Sequence, residues 1–494
     1  MGEFVNVMPR VLDAPPIAPW GPDALEASRR AKETHQNRVA VLRDRSVDAN
    51  RYYYSRLKRL LRYIVEPGKR VLAVRCETAH LLAAVEPAYG VGVEISEGMV
   101  ACARENYPAL HFVKADPERL DLGETFDYVI FGCIFDTVDI LASLESIRRH
   151  CTANTRLIVL GYNPLWQPLL ELASRAGRRA RFVEPNWLDE ADVRGFLDTA
   201  GFRNLKTHRA LLFPKYIPLV SAICNDFLGR LPGLRRLSMI HALVARPAPQ
   251  PRSADNTSVS VVVPCRNERG NVASAVERIP EMGRFTEILF CDDQSTDGTA
   301  AEVRRMQALH PDRPIRLLNG PGICKAENVW TGFRGARGDV LMILDADLTV
   351  MPEELPIFFR ALVENRGEFV NGSRLVYPVP RNAMRFANRI GNKFFGALFS
   401  FLLAQPVKDT LCGTKVLWRE DWPRIEKHLG AWGLKDLWGD YDLLFGASKL
   451  HLEIVDVPVH YQERVYGVTK MTRVFRNGVR MFRICWGAWR RLHG

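Results

Sequence analysis

Asp345 and Asp347 stand one residue apart in LMILDADLTV, Leu341 to Val350. The apolar run before them predicts a buried strand that delivers two carboxylates to its C-terminal edge, where open α/β sheets bind ligands. Such a pair suits Mg2+ or Mn2+ held against a diphosphate, since Mg2+ takes one or two carboxylates and fills its other positions with phosphate oxygens and water. A solvated acidic loop would show the same residues, so the neighbours decide. Two further predicted strands also finish on polar or acidic groups. Val259–Val263, which Pro264 ends, leads to Asn267 and Glu268, and Glu287–Cys291 leads to Asp292, Asp293 and a turn holding Ser295. Three strands ending in this way point to one composite site.

The elements that must position these groups follow an α/β pattern. With 494 residues and 47% apolar content, the chain can bury a large core and divide into domains. Residues 1–50 read as an N-terminal extension, Pro-rich at first, and the charged stretch Asp23 to Ile64 reads as helix. Predicted strands at Val71–Val74, Gly90–Ser96, Phe126–Phe131 and Arg156–Gly161 then alternate with helical patterns, as in a parallel sheet built from βαβ units. Residues 248–258, APQPRSADNTS, read as a linker between domains at 51–247 and 259–470. The alternation restarts after it, with a helix from about Asn271.

Ten cysteines without CxxC pairs read as reduced thiols of a cytosolic protein. No stretch of about eighteen apolar residues exists, and MGEFVNVMPR lacks the apolar core of a signal peptide, so neither membrane spans nor export by that route are expected. The net charge of +12 calls for an anionic partner: nucleic acid, a phosphorylated substrate or an acidic lipid surface.

The first alternating region, roughly Tyr52 to Arg246, resembles the class I S-adenosylmethionine-dependent methyltransferases, which implies a Rossmann-like fold. Glu94, in GVEIS, matches the carboxylate that this resemblance assigns to the ribose hydroxyls, and Asp116 falls at an adenine-contact position. The family's glycine turn is VLAVRCETAHLL here, with Arg75, Glu77 and Ala79 in place of the glycines and Ala73 in place of an acidic residue. A Cβ collides or forbids positive φ where glycine is required, so S-adenosylmethionine is not expected to bind, and the domain is read as non-catalytic. A domain that still methylates, giving a bifunctional enzyme, is the competing reading.

The second region carries VVPCRNE, DDQSTDGT, DADL, then Cys412, Gly413 and Lys415 behind Asp409, and finally RVYGVTK from Arg464 to Lys470. Five motifs in this order identify Val261 to Lys470 as similar to the family 2 glycosyltransferases of GT-A fold, and within them to the polyprenyl-phosphate sugar transferases of dolichol-phosphate mannosyltransferase type. The resemblance implies that Pro264, Asn267, Glu268, Asp292, Asp293, Ser295 and Lys325 bind a nucleotide-diphospho-sugar such as a UDP- or GDP-sugar. It implies that Asp345 and Asp347 hold the metal, and that Arg464 and Lys470 close over the phosphates. Each has a plainer reading as a cap, a turn residue or a surface charge. Thr349 stands where such relatives often carry Gln. An inverting transfer to a hydroxyl would need a carboxylate base, for which Asp440, Asp442 and Asp409 are candidates; a lipid phosphate is already anionic and needs none.

A lipid acceptor is favoured by two stretches. RFANRIGNKFFGALFSFLLAQ spaces Arg385, Arg389 and Lys393 by four and continues into Phe394–Ala404, which suits either the headgroup region or a core helix. From Met471 a wheel groups Arg473, Arg476, Arg480 and Arg483 against Phe475, Val479, Phe482, Trp486 and Trp489. That segment, 471–494, is expected to dock on an anionic membrane, with core packing or a homo-oligomer contact as alternatives. The resulting expectation is a polyprenyl phosphate acceptor and a protein peripherally bound at the cytoplasmic face of the membrane. A sugar or lipid hydroxyl acceptor is the alternative. Nucleic acid is not expected, because the arginines alternate with an apolar helix face rather than with stacking aromatics.

Overall fold

The computed structural model describes residues 22–176, 183, 185–377, 386–464, 466 and 474–492. The chain divides into two compact units, Met1–Pro249 and Gln250–His493.

The first unit holds β1 (Arg70–Val74), β2 (Tyr89–Glu94), β3 (His111–Lys114), β4 (Phe126–Phe131), β5 (Cys151–Tyr162), β6 (Phe202–Ala210) and β7 (Ile240–Pro247). They form one sheet in the order β3-β2-β1-β4-β5-β7-β6, parallel except for β7, which runs antiparallel to both its neighbours. In β1 the side chains alternate between two cores, Val71 and Ala73 on one face and Leu72 and Val74 on the other. A strand covered on both faces therefore reads as a continuous apolar run.

The charged stretch before β1 is two helices, Pro22–Ala49 and Arg51–Ile64, broken at Asn50. The first buries Ala40 and Val47, and Lys32 Nζ lies 2.9 Å from Asp136 Oδ1. Its described residues are thus built into the unit rather than forming an extension from it. The second buries Leu57, Leu61 and Ile64, one side of the helix at spacings of four and three.

The second unit holds β8 (Ser258–Cys265), β9 (Phe285–Asp292), β10 (Ile315–Asn319), β11 (Val340–Ile343), β12 (Phe369–Ser373), β13 (Lys415–Trp418) and β14 (Ile454–Pro458). Their order is β10-β9-β8-β11-β13-β12-β14, with β8 to β11 mutually parallel and β13 antiparallel to β11 and β12. Pro264 does not end β8, which continues to Cys265 opposite Asp292 of β9. The reason is register: β11 pairs with β8 only as far as Val262, so the missing N–H of Pro264 falls where no neighbouring strand needs it.

The predicted linker lies along this unit from Gln250 onward. Arg252 N donates to Val363 O at 2.7 Å, and its guanidinium sits 3.9 Å from the Trp418 ring centre. The helix Phe386–Leu403 buries Phe399, Leu402 and Leu403, and Phe399 meets Tyr441 at 4.6 Å and Phe445 at 4.8 Å. The core reading therefore holds for its C-terminal half, while Phe394 remains exposed. Arg385 and the side chain of Arg389 lie outside the described residues.

The helix Val474–Leu492 exposes Val479, Phe482 and Trp486 of the expected apolar group and adds a buried stripe that the wheel does not separate. It buries Met481, Ile484, Cys485 and Ala488, and leaves Val479, Phe482 and Trp486 exposed beside Arg476, Arg483 and Arg490. One apolar face is spent on the core, and a second one faces outward with the cations. Among the described residues, no helix is long and apolar enough to cross a membrane.

Candidate functional site

The C-terminal ends of β8, β9 and β11 open onto a cleft of about 460 Å3, whose lining includes Glu268, Asp293, Lys325, Asp345, Asp347 and Arg464. Parallel strands bring these ends to one edge because each returns through a helix on the same sheet. Lys325 begins the helix Lys325–Gly335, and Arg464 follows β14.

The acidic pair is neutralised from both sides. Lys325 Nζ lies 2.5 Å from Asp345 Oδ1, and Arg464 Nη2 pairs with Asp347 Oδ2. Burial raises the Asp345 carboxyl, but Lys325 foremost, with Lys415 and Arg374, holds it below the usual carboxylate range. Burial opposes the charge of Lys325, yet Asp345, Asp440 and Asp347 keep its ammonium above the ordinary range. Thr349 orients the second carboxylate, its Oγ1 donating to Asp347 Oδ1 at 2.9 Å and its N to the same oxygen at 3.2 Å. Gly413 approaches Asp345 so closely that any Cβ there would overlap the carboxylate.

This donor set fits a divalent metal on stated terms. Asp345 and Asp347 supply two hard oxygen ligands facing the cleft, which suits Mg2+ or Mn2+ when phosphate and water complete the shell. Among the described residues, no group of three His, Cys, Asp or Glu is placed to hold an ion unaided.

The other expected residues divide into cleft walls and loop ties. Pro264, Glu268 and Asp293 line the cleft; Glu268 Oε2 accepts from Asn271 Nδ2 at 2.9 Å, and Asp293 Oδ1 from Gly322 N at 2.7 Å. Asn267 and Ser295 join the loops instead. Asn267 N donates to Ser295 Oγ at 2.8 Å, and Asn267 Oδ1 accepts from Thr296 N at 2.8 Å. Asn267 adopts φ 55, a left-handed conformation that Asn tolerates well. Asp292 Oδ2 accepts from Ser295 N at 3.3 Å, and its Oδ1 is buried without a hydrogen-bond partner among the described residues. Lys470 lies outside the described residues.

Two of the three candidate bases, Asp440 and Asp409, are held in ion pairs. Asp440 Oδ1 lies 2.8 Å from Lys415 Nζ, which also donates to Cys412 O at 2.5 Å. Asp409 is fully buried and bonds Arg374 through both oxygens, at 2.7 and 2.9 Å. Asp442 accepts from Gly430 N at 3.3 Å, and burial, then Asp436, pushes its carboxyl up to about 7. Sequence reasoning missed Arg374, the partner of Asp409, and also missed Leu437, Trp438 and Asn477 in the cleft wall. Nothing in their local pattern distinguishes them. Asn477 comes from the C-terminal helix, which Gly487 allows to seat against the Trp432 carbonyl, where a Cβ would collide.

The first unit retains the backbone of a glycine turn without its glycines. Arg75, Glu77 and Ala79 hold φ 58, 52 and 64, all left-handed. Arg75 is buried between two carboxylates, with Nη1 3.1 Å from Glu94 Oε1 and Nη2 2.6 Å from Asp136 Oδ2. Glu94 Oε2 accepts from Glu77 N at 3.0 Å, and its Oε1 from Ile95 N at 2.8 Å. Asp116 Oδ1 caps Glu118 N at 3.0 Å. Arg75 lines two separate cavities. The carboxylate expected to receive a ribose is bonded internally and an arginine occupies the turn, so these residues do not fit S-adenosylmethionine.

Comparison with known proteins agrees with this division. The profile of glycosyl transferase family 2 matches residues 260–423, and that of a methyltransferase domain matches residues 71–154. A dolichol-phosphate mannosyltransferase of Pyrococcus furiosus is 30% identical over 219 residues, covering 43% of this chain and 59% of that protein. A polyprenol monophosphomannose synthase of Mycolicibacterium smegmatis is 30% identical over 221 residues, covering 43% of this chain and 80% of that protein. The chain thus spans somewhat more than half the length of the first relative and four-fifths of the second. Among solved structures, an S-adenosylmethionine-dependent methyltransferase of Thermotoga maritima is similar at 17% identity and TM-score 0.37, covering 44% of this chain and 99% of that one.

Proposed function

The chain belongs to glycosyl transferase family 2, and from that premise we propose that its second unit moves a sugar from a nucleotide-diphospho-sugar to a polyprenyl phosphate, with inversion, at the cytoplasmic face of a membrane. The observation that carries the reading is the acidic pair at the end of β11, each member matched by a cation in a cleft of about 460 Å3. Asp345 and Asp347 would hold the divalent metal. When bound, that metal supplies Lewis-acid charge to the leaving diphosphate.

The chain's own residues do the rest. Lys325 and Arg464 turn their cationic ends to the acidic pair, where they also meet a diphosphate. Thr349 fixes the rotamer of Asp347. Glu268 and Asp293, at the strand ends, accept from base or ribose. A phosphate acceptor agrees with the engagement of Asp440 and Asp409 in buried ion pairs, which leaves neither as a free base. The relatives named dolichol-phosphate mannosyltransferase and polyprenol monophosphomannose synthase support the same acceptor class. The first unit is proposed to be non-catalytic.

The test is incubation of the full chain with metal, membranes and labelled UDP- and GDP-sugars. Label is expected in the lipid extract, dependent on the metal and lost with Asp347→Asn. Label confined to a water-soluble product would overturn the acceptor, and full turnover by Asp347→Asn would overturn the site.

A further inference from the structure

The first unit carries exposed apolar side chains on two neighbouring segments. On the first, Leu165, Leu169 and Leu172 recur at helical spacing and are 66, 58 and 62% exposed. On the second, running from Lys215 to Leu237, Leu219, Ile223 and Phe227 are exposed, Leu219 at 79%. Leu219 also holds φ 63, a left-handed backbone that a leucine seldom adopts.

The two segments are joined. Asn163 Nδ2 donates to Arg236 O at 2.8 Å, and Trp166 Nε1 donates to Leu237 O at 2.7 Å. Behind them, Tyr52 sits 5.6 Å from Tyr216 and accepts from Asn225 Nδ2 at 2.9 Å, so the second segment is fixed to the core while its apolar side chains point away. Exposed apolar side chains gathered on two joined segments mark an interaction site, because isolated exposed leucines are ordinary and groups of them are not.

Charge indicates what covers it. Arg175, Lys215 and Arg236 are exposed at the rim. From residue 211 to 238 the sequence has one acid, Asp226, and Arg56 neutralises it at 2.7 Å. From 163 to 176 it also has one, Glu171, which accepts from Gln167 at 2.8 Å. Burial, then Arg209 and Arg236, lowers the pKa of Arg235, with Glu190 opposing. Large apolar side chains rimmed by cations, in a unit without a spanning helix among its described residues, match the boundary between acyl chains and anionic headgroups.

We propose that the first unit docks on an anionic lipid bilayer through this surface, inserting Leu165, Leu169 and Leu172 together with Leu219, Ile223 and Phe227. The plugged domain thereby holds the chain at a membrane independently of the C-terminal helix.

Flotation of the full-length chain with phosphatidylcholine vesicles, with and without phosphatidylglycerol, tests it. Two variants are compared, Leu165→Glu/Leu169→Glu/Leu172→Glu and Leu219→Glu/Ile223→Glu, each also combined with Phe482→Glu/Trp486→Glu in the other unit. Each first-unit variant is expected to weaken binding to anionic vesicles about tenfold or more, in both backgrounds, with the melting temperature unchanged. Unaltered flotation overturns the proposal, as does equal binding to neutral vesicles. A parent dimer that these substitutions split without changing flotation also overturns it, and assigns the surface to a second copy.

Discussion

Lys325 Nζ stands 2.5 Å from Asp345 Oδ1, so the first carboxylate of the acidic pair is held by a cation that the chain itself supplies. Lys325→Met removes that cation, which the proposed function also sets against the donor diphosphate. Turnover is expected to fall about a hundredfold, with a raised KM for the donor, as when one charge-stabilising group is deleted from an active site. Steady-state kinetics at saturating metal check this, and parental kinetics would remove Lys325 from the site.

Arg75 bridges Glu94 and Asp136 inside the first unit. Arg75→Met leaves both carboxylates short of a buried partner and is expected to cost about 3–5 kcal/mol in the first unit's unfolding transition. Chemical denaturation measures the loss. Calorimetric titration of the parent with S-adenosylmethionine is expected to give no saturable heat, and transfer by the folded Arg75→Met variant should equal the parent's.

Asp442 sets a pH dependence of stability. Burial, then Asp436, with Glu327 adding and Lys435 opposing, raises its carboxyl to about 7. The folded chain keeps a proton that the unfolded chain releases above about pH 4. The stability this contributes is therefore fully present in acid and lost as pH climbs to about 7 and beyond. Asp442→Asn keeps an acceptor for Gly430 N–H and removes the titration. Its melting temperature should exceed the parent's at about pH 8 and approach it at about pH 5.

Gly487 lets the C-terminal helix touch the Trp432 carbonyl, and Arg480 Nη2 adds a bond to Lys435 O at 2.8 Å. Gly487→Ala should cost about 1–3 kcal/mol, the usual penalty of overpacking. Because Asn477 of the same helix lines the cleft, transfer should fall as well. Thermal melts and activity are compared, and a variant with both unchanged would show that the helix is not seated there.

Much of the second unit could be read directly from the sequence. The apolar runs at 259–263, 287–291 and 341–344 become β8, β9 and β11 with their neighbouring loop, since buried parallel strands have little choice but continuous hydrophobicity. Pro264 misled, because its effect depends on how far β11 extends alongside it. The helical wheel from 471 groups Val479, Phe482 and Trp486 as they lie, on one exposed side, but it misses the buried stripe, because a wheel cannot tell which apolar positions the core takes. Val479, Phe482 and Trp486 face outward, while Met481, Ile484 and Ala488 face inward.

The sequence by itself determined the family, the strand ends that converge, and the loss of three glycines at 75, 77 and 79, because motif order and backbone permission are local properties. Only the tertiary structure decided which charges meet. Lys325 with Asp345, Arg464 with Asp347, Arg374 with Asp409, Lys415 with Asp440 and Arg75 with Glu94 all join residues distant in sequence. A carboxylate's role depends on the cation beside it, and that neighbour is chosen by packing rather than by spacing along the chain.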